Sequence, residues 1–166
     1  MENSKTAPVT VGPQDGQNLS VVGDTYRILI TGKETGGAYA AIDMLIPPNG
    51  GPGPHSHANF QESFYVIDGE IEVQADGNRS RVRSGGMSFV PKGIAHAFIV
   101  VSAEARLITI QSPAAVGQAF YRGASEPAVD DTTDVVDFAR IQASAAENPR
   151  GITILGPPPF ATAAAR

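Results

Sequence analysis

The chain has 166 residues, 17% of them charged, and a formal net charge of −5. That length suits one domain with a sizeable core. The scattered Lys and Arg argue against nucleic acid as a partner, and without cysteine any metal site must use nitrogen and oxygen ligands. No run is apolar and long enough for a secretion signal or a membrane span, so a cytoplasmic protein without membrane contact is expected.

Residues 1–19 carry no clear pattern and read as a flexible N-terminal segment. Beyond them, glycine and proline punctuate short runs of strand character at 26–32, 38–46, 62–69, 70–75, 87–91, 96–101 and 105–111. Runs this short, with turn signals between them, predict an all-β sandwich or barrel over residues 20–112. In "ADGNRS", Asp76 and Gly77 supply the two positive-φ positions of a hairpin turn. Strand parity puts Ile42, Met44 and Ile46 on one face, as it does Glu62, Phe64 and Val66, and His96, Phe98 and Val100. If the apolar sets face the interior, Glu62 and His96 go with them, and an unpaired buried charge there is costly. Tyr65 falls on the opposite parity and is expected outside.

Past residue 112 a C-terminal extension, 113–166, changes character. Val135, Phe138 and Ile141 at three-residue spacing predict one amphipathic helix over about 133–147, closed by Asn148-Pro149. It either caps the barrel mouth or packs outside a sheet. "ITILGPPPF" then reads as a short extended segment with a proline stop.

The chemistry concentrates in "PHSHANFQE", residues 54–62, which holds two of three histidines. Residues two apart on a strand point the same way, about 6.6 Å apart along the chain, so His55 and His57 can converge on a metal ion. Alone, such a pair reads more readily as an exposed loop feature. The third histidine, His96, follows the tight turn of "PKG" at 91–93, which swings it toward the same lumen.

These residues resemble the cupin family. Its first motif, G-x5-H-x-H-x3,4-E-x6-G, is met at His55, His57, Glu62 and Gly69, although the leading glycine lacks the standard spacing. Its second, G-x5-P-x-G-x2-H-x3-N, is met at Gly85, Pro91, Gly93 and His96, with Val100 in place of the final Asn. "LITGKETGGAYAAIDMLIPPNGGPGPHSH" and "RGITILGPPP" are similar to single-domain cupins of the quercetin-dioxygenase-like group. The resemblance implies a double-stranded β-helix, or jelly roll, in which His55, His57, Glu62 and His96 hold one divalent ion, with Glu62 as candidate catalytic base. It also implies a two-fold homodimer.

Three imidazoles and a carboxylate suit Fe, Mn, Co, Ni or Zn alike, and four ligands on an octahedral ion leave two positions open, as in a catalytic site. Met44, Phe64, Phe89 and Phe98 are candidates for lining a substrate pocket, or are plain core. The expected function is a dioxygenase of a small phenolic or enolic substrate. The alternatives are a metal-dependent isomerase, lyase or hydrolase, and a non-catalytic small-molecule binder.

Overall fold

Alternation of apolar and polar side chains with a period of two builds this molecule. The computed structural model describes residues 7–21, 23–114, 121, 123–127, 138–148 and 151–157. Its strands are β1 (Gln17–Val21), β2 (Asp24–Ile30), β3 (Ala40–Ile46), β4 (His55–Ser56), β5 (Gln61–Asp68) and β6 (Glu70–Ala75). They continue with β7 (Asn78–Arg83), β8 (Met87–Val90), β9 (His96–Val100), β10 (Ala105–Ser112), β11 (Glu126–Pro127) and β12 (Thr153–Ile154). A helix, α1 (Phe138–Glu147), precedes β12.

Seven strands form one antiparallel sheet in the order β11-β1-β2-β3-β10-β5-β8, and five form the other in the order β12-β4-β9-β6-β7. Two facing sheets connected in this crossing order make a double-stranded β-helix. The inward residues of β3, β5 and β9 named above are all at most 3% exposed. Each large apolar side chain removed from water there stabilises by about 1.5–3 kcal/mol. Tyr65 stays outside, 42% exposed.

Several strands escape the sequence pattern, β1 and β7 the longest of them. β1 begins at Gln17, so residues 17–19 belong to the sheet rather than to the N-terminal segment. The carbonyls of Gly12, Pro13 and Asp15 just ahead of it all accept from the Arg27 guanidinium, which ties that segment down. β7, "NRSRVR", buries only Val82, because it is the outer strand of its sheet and faces water on most sides. The turn before it is as expected: Asp76 and Gly77 have φ of 50° and 75°, between paired Ala75 and Asn78.

Residues 133–137 of the expected helix lie outside the described residues. From Phe138 onward the helix is present, and Ile141 is buried against the barrel mouth together with Ile152. Capping, rather than packing on the outside of a sheet, is its role.

Candidate metal centre

The two sheets bring the four polar side chains together from opposite walls. His55 on β4 pairs directly with His96 on β9 in the five-stranded sheet. Glu62 projects from β5 in the seven-stranded sheet, opposite Gln111 on one side and Val90 on the other. β4 is only two residues long, so His57 lies just past its end. It is fixed there because the amide of Gly93 donates to its carbonyl at 2.7 Å. Gly93 holds φ of 83°, a left-handed conformation that glycine adopts without strain, and this turn delivers His96.

His55, His57, Glu62 and His96 are all buried, and one ligand atom from each lies within 4.8 Å of the others. In every ring Nδ1 faces a backbone carbonyl: Gly53 at 2.8 Å for His55, Gly151 at 3.1 Å for His57 and Ile94 at 2.9 Å for His96. A carbonyl only accepts, so Nδ1 carries the hydrogen and each neutral ring presents its lone pair at Nε2. Glu62 Oε2 stands 3.2 Å from His57 Nε2 and 3.3 Å from His96 Nε2. Three imidazole lone pairs and a carboxylate oxygen aimed at one point are a donor set that fits one divalent cation. Second hydrogen bonds on the rings fix tautomer and orientation, as good metal sites require.

The electrostatics agree. Burial, reinforced by the charges of His96 and His57, lowers the His55 pKa to about 3, so this ring is neutral at pH 7. Burial also works against a charged His96, but the Glu62 carboxylate outweighs it and raises the group. Burial alone would raise Glu62; the close approach of His57 and His96 instead holds it well below the usual carboxylate range. A cation therefore competes with protons for His96 and meets a carboxylate that is already ionised.

Beside this cluster lies a cavity with about 50 Å³ open to water centres, room for about four waters. Met44, Phe64 and Phe98 line it with His55 and Glu62, as the strand parity suggested. Phe89 does not. It pairs with Ser63, on the outward parity of β5, and is 55% exposed; Val90 is the inward residue of β8, so the expectation for Phe89 is corrected. The mouth is closed by Phe138 and Ile141 of α1 and by Ile152 and Ile154 around β12.

A family model, the cupin domain, matches residues 42–111, a span holding all four clustered residues. The chain carries a cupin domain. Among solved structures, KdgF of a Halomonas species superposes on this cupin with a TM-score of 0.61 at 18% identity, covering 68% of this chain and 99% of that one. The polyketide cyclase RemF of Streptomyces resistomycificus gives 0.56 at 21% identity, over 66% and 81%. In sequence, the quercetin 2,3-dioxygenase of Bacillus subtilis is 22% identical over 120 residues, 72% of this cupin and 35% of that enzyme. This cupin spans 54% and 35% of the lengths of two curated relatives it matches. The structural likenesses establish the fold, and one barrel carries many chemistries.

Several residues of this cupin's site go unmarked by the sequence motifs. Gln111 on β10 donates its amide to Glu62 Oε1 at 2.8 Å and to the Tyr121 hydroxyl. Phe60 stacks on His57 with ring centres 4.0 Å apart. Tyr26 and Tyr121 meet edge to face at 5.3 Å on the cavity wall. Gln111 was legible in principle, since it falls on the inward parity of β10 beside Glu62; Tyr121, outside any strand run, was not.

Proposed function

We propose that this cupin is a metal-dependent enzyme for a small, largely apolar substrate bearing oxygen, and that its reaction is dioxygenation of a compact phenol or enol. The observation that carries the reading is the convergence of ligand atoms from His55, His57, Glu62 and His96 beside a mainly apolar cavity that His55 and Glu62 line. A bound divalent ion would supply Lewis acidity toward a substrate oxygen and sites for small ligands. His55, His57, Glu62 and His96 would hold it. Glu62 Oε1 is committed to the Gln111 amide, so a proton lifted from substrate goes to Oε2, the oxygen that faces the imidazoles. The aromatic and aliphatic walls exclude water and hold an apolar ring or chain. Sequence similarity to a quercetin 2,3-dioxygenase supports the oxidative reading.

A homodimer is part of this reading. Tyr65, Ile67, Met87 and Phe89 are 41–56% exposed on the outer face of β5 and β8, and β8 is a sheet edge. Such an edge is commonly covered by a partner. The deciding experiment is elemental analysis of protein purified without chelator, followed by oxygen-uptake screening with small phenols and diketones. Metal bound at about one per chain with substrate-dependent oxygen uptake is expected. Turnover without oxygen uptake would move the reading to a Lewis-acid isomerase, lyase or hydrolase.

A further inference from the structure

Tyr26 is the polar group that the metal reading leaves unused. It is 3% exposed and lines the cavity, and the metal cluster makes no use of its hydroxyl. Its ring is held on two sides. On β2 it pairs with Leu19 and Met44, and it packs edge-on against Tyr121 at 5.3 Å. A hydroxyl on a mainly apolar cavity wall is a donor that an acceptor on a ligand can engage.

The sheet register places this group relative to the metal cluster. Glu62, Gln111 and Ala40 form one inward row across the seven-stranded sheet. Phe64, Thr109 and Ile42 form the next, and Val66, Leu107, Met44 and Tyr26 the third. Tyr26 thus starts two rows from Glu62, with apolar wall between. Burial keeps the Tyr26 pKa well above that of an ordinary phenol, so it acts as a donor at working pH values.

We propose that the Tyr26 hydroxyl recognises a second polar group on the ligand, so that the cavity selects compact, mainly apolar molecules with one oxygen at the metal cluster and a hydrogen-bond acceptor toward β2. This rests on the metal-centre reading above. It assigns specificity to a residue outside both histidine motifs, because a site built around a hydroxyl discriminates against analogues that leave it unpaired.

The test uses the full chain loaded with cobalt(II), without oxygen, and two probes of matching shape. Benzene-1,2,4-triol and 4-methylcatechol differ by a hydroxyl in place of a methyl, and calorimetric titration gives the affinity of each. The wild-type protein is expected to bind the triol about tenfold more tightly or better. Tyr26→Phe should abolish or invert that preference, with cobalt content and catechol affinity within about twofold of wild type. Equal wild-type affinities for the two probes, with binding that needs cobalt, would overturn the role of Tyr26 and leave the metal-centre reading standing, even if the variant failed to fold. A triol preference that persists in folded Tyr26→Phe overturns it too. If neither probe binds the cobalt protein, both this proposal and the phenolic reading fail.

Discussion

His57 and His96 each contribute one nitrogen to a four-atom cluster, and the chain has three histidines in all. No spare imidazole stands by to substitute. His57→Ala or His96→Ala should therefore lower bound metal to less than about a tenth of wild type, measured by elemental analysis. Full occupancy in the double variant would place the site elsewhere. Glu62→Gln keeps an oxygen that can ligate and should be milder for binding, though harsher for any proton transfer. Gln111→Leu frees Glu62 Oε1 and should weaken metal affinity by about 10–100-fold, as loss of an orienting partner commonly does. Asp24 poses a different question. It is fully buried and its carboxyl oxygens lack a hydrogen bond of normal geometry. Burial pushes its pKa well above the usual range, with only the Gly51 amide opposing. For an acid with a raised folded pKa, the folded state holds the proton longer, so its effect is to lose stability as pH rises above about 4, its unfolded value. Asp24→Asn should accordingly stabilise at pH 8 by about 1–3 kcal/mol and by less at pH 4, read from denaturant melts. An equal effect at both pH values would refute a neutral Asp24.

Among the elements, those with one wet and one dry face were legible, because period-two alternation reports burial on a single side. β3, β5, β9 and β10 are of this kind, and their parity alone placed Glu62 and His96 inside. β7 was hidden since an edge strand in water needs no alternation, and β4 because two residues carry no period. On the outer face, Asp43 of β3 accepts a forked pair of bonds from Arg106 of β10 and two more from Arg27 of β2. These lower its pKa, the Arg106 bond most. Its contribution is present above about pH 4 and lost as pH falls through the lowered folded value. Asp43→Asn should remove that part of the acid sensitivity, visible as a shallower fall of melting temperature below pH 4. At the mouth, Ile141→Ala should cost about 2–4 kcal/mol and widen the cavity. An unchanged melt would mean that α1 adds nothing to the closure.

For the molecule as a whole, an ion that binds only the folded state stabilises it by mass action, about 2.7 kcal/mol at a hundredfold excess over its dissociation constant. Chelation should lower the melting temperature, and re-addition of metal should restore it. Light scattering at micromolar concentration should give twice the 17.3 kDa chain mass if the outer face of β5 and β8 is an interface. The bond between His57 Nδ1 and the Gly151 carbonyl joins residues 94 apart, and it puts the site on a clock. On the ribosome all four cluster residues have been made once His96 is in place, yet the carbonyl that orients His57 arrives about 55 residues later. At about 5–20 residues per second that is several seconds. A nascent chain in that interval has its histidines and its carboxylate but not the carbonyl that aims one ring, so the four-residue cluster is oriented only after Gly151 has been made.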